Sequence, residues 1–201
     1  MERHPLLIVG TDPVEVDGSL AAGRLRCPAC ACRLASWGRA RLRSVREEHG
    51  PVRHHPRRTR CAGCGRTHVL LAASTLLRRA DGVAVIGAAL VAKAAGAGHR
   101  TIAAGNGRPP STVRGWLRRF TSRGEQLRAL FTGLLHALDA SAGSLLPTRS
   151  AFSDALTAAG AAAAAAVRLF GPRCPWQFTA AASGGLLLAP GQLGRSVSNT
   201  S

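Results

Sequence analysis

Two sets of residues in this 201-residue chain have types and spacings that can do chemistry: its cysteines and its arginines. Four of the six cysteines form two CxxC pairs, CPAC from Cys27 to Cys30 and CAGC from Cys61 to Cys64. Each pair can fold as a knuckle whose backbone amides turn toward the thiolates, and two knuckles complete a closed tetrahedral site for zinc. With no coordination position left for substrate, that zinc is structural. A redox CxxC would stand alone at a helix start in a βαβ context, which this chain lacks. Cys32 is an alternative to Cys30 as ligand, though CPAC fits a knuckle better. Cys174 reads as a bystander, and His68 as a packing or hydrogen-bonding neighbour of the site.

The second chemistry is recognition of a polyanion. In the run from Gly98 to Phe120, Val113, Trp116, Leu117 and Phe120 fall at i, i+3, i+4 and i+7, the stripe of an amphipathic helix. Asn106-Gly107 supplies a turn before it, and Pro110 suits its first helical position. A short preceding helix carries Ile102 and Ala103 inward, so the run reads as a helix-turn-helix. Its reading face comprises Ser111, Thr112, Arg114, Gly115, Arg118 and Arg119, with Arg100 and Arg108 beside the turn. Arg57 and Arg58 in the cysteine-bearing module are expected to hold phosphates. Asn106 departs from the pattern, since such motifs carry an apolar residue there.

Composition agrees with that partner. The formal charge is +17 with pI near 11.7, and arginine supplies nearly all the positive charge, Lys93 being the one lysine. Self-repulsion of this size gives the fold nothing, so nucleic acid is the expected partner. Tyrosine is absent and aromatics are 4% of residues, which counts against platforms that stack unpaired bases. No secretory signal or membrane span is read, and the chain is expected in the cytoplasm, associated with the nucleoid.

These residues need elements to hold them. Between the knuckles only Leu34, Trp37, Leu42, Val45 and Val52 are sizeable and apolar, too few to offset the ordering of the segment without a metal staple. A long β-hairpin turning at Glu47 to Pro51 is expected there. The fold class is therefore mainly α with a small β zinc ribbon. Residues 1–23 form a lead-in strand and helix, 24–71 the four-cysteine ribbon, 72–140 the helix-turn-helix domain, 141–189 a C-terminal helical segment and 190–201 a disordered tail. Residues 69–80 are expected as a connector, and Asp81 as the cap of a helix carrying Val83, Ile86, Leu90 and Ala94 on one face. A further helix from Glu125 to Leu138 closes the domain or pairs two chains.

With CPAC, CAGCGRTHVLL and GHRTIAA…RPPSTVRGWLRRF in hand, the chain resembles a bacterial family that joins an N-terminal zinc ribbon to a helix-turn-helix under an uncharacterised domain name. That family is similar to the DNA-binding front end of insertion-sequence transposases. The resemblance implies a protein that binds double-stranded DNA, transposase-related or regulator-like, without its own catalytic domain. A homodimer and a separate catalytic transposase subunit are the protein partners it admits. The alternatives are an RNA or general nucleic-acid binder acting through the ribbon, and an active transposase. The last would need three metal-binding carboxylates, for which only Glu125, Asp139 and Asp154 follow the recognition helix.

Overall fold

The computed structural model describes residues 6–148 and 150–189, and over these the chain is a mixed α/β protein. Strand β1 (Leu6–Val9) leads into helix α1 (Pro13–Ala21), where Asp12 caps the N-terminus by accepting the Val14 N–H at 2.8 Å. Three further strands, β2 (Leu34–Arg39), β5 (Arg57–Cys61) and β6 (Thr67–Ala72), join β1 in one sheet of order β1-β6-β5-β2. The pairing of β1 with β6 is parallel, and the other two are antiparallel. Strands β3 (Arg43–Glu47) and β4 (Gly50–His54) form a separate hairpin, turning where the sequence places the turn.

The lead-in and the cysteine module thus share a core of Leu7, Val16, Leu20, Leu25, Leu34 and Leu70, with Cys27 and Cys61 at its margin. The expected connector does not begin at residue 69, because Val69, Leu70 and Leu71 belong to β6. Burying two of those leucines between β1 and the neighbouring strand explains why an apolar run there becomes sheet rather than linker.

The remaining chain is helical: α2 (Val83–Ala94), α3 (His99–Asn106), α4 (Pro110–Thr121), α5 (Gly124–Leu138), α6 (Ala151–Phe170) and α7 (Pro175–Ala182). A single core runs through all six, from Ile86 and Leu90 through Phe120, Leu127 and Phe131 to Leu187 and Leu188. The expected boundary at 140 does not divide it. Helix α6 buries Ala155, Ala158, Ala159, Ala162 and Ala166, a face of methyl groups into which the larger side chains of α5 fit. Phe152 meets Phe120 edge to face at 4.9 Å between centroids. On α2, an added Cβ at Gly87 would lie 2.1 Å from the Trp176 ring, so only glycine lets α7 close onto that helix.

Two expectations about α2 fail. Ala94 is exposed, while Val85 and Ala89 are buried, because the helix is packed on more than one side. Asp81 does not cap it. Gly82 takes the N-cap position without a side-chain bond, and Asp81, 3% exposed, turns inward to two arginines. Among the described residues no single helix is long and apolar enough to cross a membrane. The expected tail at 190–201 lies outside the described residues.

Candidate metal centre and nucleic-acid interface

The two CxxC turns fold alike. Cys27 N–H donates to Cys32 O and Ala31 N–H to Cys27 O; in the second turn Cys61 N–H donates to Arg66 O and Gly65 N–H to Cys61 O. The fourth residue after each leading cysteine has positive φ, 57° at Ala31 and 71° at Gly65. An amide in each turn also points at sulfur, Ala29 N to Cys27 Sγ at 3.4 Å and Cys64 N to Cys61 Sγ at 3.5 Å. This is the knuckle geometry that the spacing implies.

The sheet brings the turns together, since β2 follows the first, β5 ends in the second, and Leu34 pairs with Cys61. All four sulfurs of Cys27, Cys30, Cys61 and Cys64 lie within 4.8 Å of one another. Thiolates about 2.3 Å from a tetrahedral ion are about 3.8 Å apart. Cys27 and Cys64 Sγ are 3.7 Å apart and Cys30 and Cys61 Sγ 3.3 Å, so the cluster fits a metal ion with little adjustment. As free thiols they titrate apart. Burial pushes Cys27 up to about 12, whereas the Cys64 N–H, ahead of other donors, lowers Cys61 to about 6. A cation would relieve the cost at Cys27 by neutralising its thiolate.

His68 supports the cluster from outside it. Fully buried on β6, its Nε2 sits 3.4 Å from Cys27 Sγ, placed to donate when that sulfur is a thiolate. Cys32 is outside the four-sulfur group; its exposed thiol lies over Gly63.

Helices α3 and α4 are joined by Gly107, whose φ of 60° and ψ of 39° are left-handed. Its N–H donates to Ala104 O and the next, Arg108 N–H, to Ala103 O, closing the C-terminus of α3. Pro110 opens α4. Val113, Trp116, Leu117 and Phe120 are all buried, so Ser111, Arg114 and Arg118 are exposed on the opposite face. Arg100 on α3 is exposed as well, and Thr112 and Gly115 are half-buried. Asn106 ends α3 with its Nδ2 buried and without a hydrogen-bond partner. The misfit visible in the sequence is thus a polar atom buried at the joint without a partner.

The structure separates the remaining predicted contacts from that face. Arg108 is not free for a partner: its Nε donates to Asp81 Oδ1 at 2.6 Å and its side chain is 16% exposed. Arg57 forks Asp17 of α1, its Nε 2.7 Å from Oδ1 and its NH2 on Oδ2, which holds the Asp17 carboxyl below its usual range. Arg119 folds back, NH1 donating to Gly115 O at 3.1 Å, and Arg58 is half-buried with its Nε unpartnered. Carboxylates distant in sequence capture two of these, Asp17 holding Arg57 and Asp81 holding Arg108, and spacing alone gives no sign of such pairings. Sequence reasoning missed Asp81 for the same reason. Besides Arg108 it holds Arg46 of β3, Nε to Oδ1 at 2.9 Å and NH2 to Oδ2 at 2.8 Å, joining the hairpin, the start of α2 and the α3–α4 turn.

Beside Asp17, a cleft of about 260 Å³ between α1, the sheet and the hairpin gathers Arg39, Arg43 and Arg53. Comparison of the chain with protein-family models, curated proteins and solved structures gives no match.

Proposed function

We propose that this protein binds double-stranded DNA with sequence selectivity through a helix-turn-helix formed by α3 and α4, carried beside a structural zinc in the four-cysteine cluster. The observation that carries the reading is the geometry of α4. A fully apolar stripe fixes its rotation, and the opposite face presents Ser111, Arg114 and Arg118 to solvent. An arginine so held can fork guanine O6 and N7 in the major groove. Zinc is the metal of choice for a closed set of four thiolates. Arg100 stands ready for phosphate at the edge of the groove.

The protein is read as a regulator or as the DNA-binding part of a mobile element, with catalysis supplied elsewhere. An active transposase would draw its carboxylates from Glu125, Asp139 and Asp154. Each already has a structural partner: Arg128 for Glu125, Arg168 for Asp139, and the Thr148 N–H for Asp154.

Selection of bound duplexes from a random pool tests the reading, followed by titration of Arg114→Ala against a selected and a scrambled duplex. Loss of one bidentate contact costs about 1–3 kcal/mol on the selected site and relaxes one base pair, with little change on the scrambled one. Equal loss on both would leave the general nucleic-acid binder as the better description.

A further inference from the structure

Composition counts against base stacking, yet one ring is displayed for it. Trp37 lies on β2, the edge strand of the sheet, and is 54% exposed, an uncommon position for a residue whose burial contributes so much to stability. The other two tryptophans differ: Trp116 is buried in the core and Trp176 is packed against Gly87. The Arg60 guanidinium stands over the Trp37 ring, 4.9 Å from its centroid, while its Nε reaches Gly65 O of the second knuckle at 3.4 Å. The ring and its cationic neighbour are thereby tied to the metal cluster.

Strand alternation assigns the surroundings. Leu34, Thr59 and Cys61 face the core, so Ala35, Arg58 and Arg60 face outward with Trp37. Ala35, beside it on this face, is small and exposed, and Trp37 itself is more than half exposed. Strands β2 and β5 contain four arginines and no carboxylate. On this same face, Arg58 Nε is buried with no hydrogen-bond partner.

We infer that this face is a stacking platform for an unpaired base of single-stranded DNA. Each part matches one part of a nucleotide. The indole takes the flat face of the base, Arg60 adds a cation–π contribution, and Arg58 neutralises a flanking phosphate. A duplex end or a melted site would offer such a base next to the helix-turn-helix. The inference rests on the nucleic-acid reading of the charge and is separate from base reading by α4.

The test uses the full zinc-loaded chain and the oligonucleotide (dT)12, followed by tryptophan emission. Saturable quenching is expected, and Trp37→Ala should abolish that component while keeping emission from Trp116 and Trp176. Stacking of one base sets the accompanying loss of affinity at about 5- to 150-fold. Trp37→Phe should retain most of the binding, and unchanged zinc content in both variants shows that the ribbon remains folded. Quenching that is absent, or affinity unchanged in Trp37→Ala, overturns the inference. So does an emission shift produced only by anionic phospholipid vesicles or by (rU)12. A blunt duplex titrated in parallel keeps the two proposals apart: if it binds the native chain and Trp37→Ala alike while (dT)12 fails, only the platform falls. If (dT)12 quenches Trp37 while Arg114→Ala shows no selectivity, only the reading helix falls.

Discussion

Asp81→Asn removes one charge at the point where the four-cysteine module meets the helices, and its cost follows from how far each partner can recover water. The carboxylate is 3% exposed, Arg108 16% and Arg46 47% in their side chains. Removing one member of a buried pair costs about 3–5 kcal/mol, because the survivor is left buried and uncompensated. Arg46 escapes most of this penalty, for its exposed half can rehydrate, and its share resembles that of a surface pair at about 0–1 kcal/mol. Arg108 cannot. Asparagine keeps an oxygen acceptor for one guanidinium, so the net loss should be about 2–4 kcal/mol. The hairpin itself should stay docked, since Arg46 N–H donates to Ala80 O at 2.8 Å and Gly82 N–H to Arg46 O at 3.0 Å. Urea unfolding followed by helix circular dichroism reads the effect, and a slope of about 2 kcal/mol/M gives a midpoint lower by roughly 1–2 M. Arg108→Met should cost more than Arg46→Met, and Asp81→Asn should add little in the Arg108→Met background. A loss under about 0.5 kcal/mol, or equal costs for the two arginines, would refute the assignment of Asp81 as the joint.

The native chain should carry one zinc per molecule, and Cys61→Ser should lose it and unfold the four-stranded sheet while helices α2–α7 persist; metal analysis with amide exchange reads both. Asn106→Leu should stabilise the protein by about 1 kcal/mol, raising Tm by roughly 2–4 °C, because the buried unpartnered Nδ2 is removed. Asp154 accepts from the Thr148 side chain and N–H, which lowers its carboxyl below the ordinary 3.8. The stability it contributes is therefore full above that value and is lost as pH falls through the lowered one. Melts of Asp154→Asn should lack this component of the acid transition. Duplex affinity should fall with salt at a log–log slope of about −5 to −9 if roughly six to ten phosphates are neutralised; a slope near −1 would mean the arginines do not meet phosphate.

The features legible in the sequence are those set by short-range spacing. CxxC fixes a knuckle within one turn of chain, and the stripe of Val113, Trp116, Leu117 and Phe120 fixes the rotation of α4 whatever packs against it. Pro110, Gly107 and Asp12 work in the same way, as local backbone restrictions. What the sequence concealed depends on partners far apart in the chain. The parallel pairing of Leu6–Val9 with Val69–Ala72 spans some sixty positions and turns an expected connector into sheet. Asp81 looked like a cap because capping is a local habit of aspartate, but Arg46 and Arg108, distant on either side, outbid the N-terminus of α2. Nor does periodicity in α6 reveal that its alanines merge the last helices with the preceding core, since an alanine face is equally consistent with solvent.

The same pairings change what the net charge means. Among the described residues five arginines, Arg46, Arg57, Arg108, Arg128 and Arg168, are paired with carboxylates. Arg79 is also turned inward, donating to Leu188 O, and burial lowers it from its ordinary value. A count of positive residues therefore overstates the charge offered to a partner. Placement matters more than the total, because beyond about 8–10 Å at moderate salt a surface charge is largely screened. Residues 98–123 contain six arginines and no carboxylate, and the acids nearest in sequence are Asp81 and Glu125. Asp81 faces inward and takes Arg108; Glu125 takes Arg128. With one carboxylate buried and the other paired along α5, Arg100, Arg114 and Arg118 are left in an uncompensated local field. By this argument, an acid placed beside them, as in Ser111→Glu, should weaken DNA binding more than the same change at an exposed position far from α4.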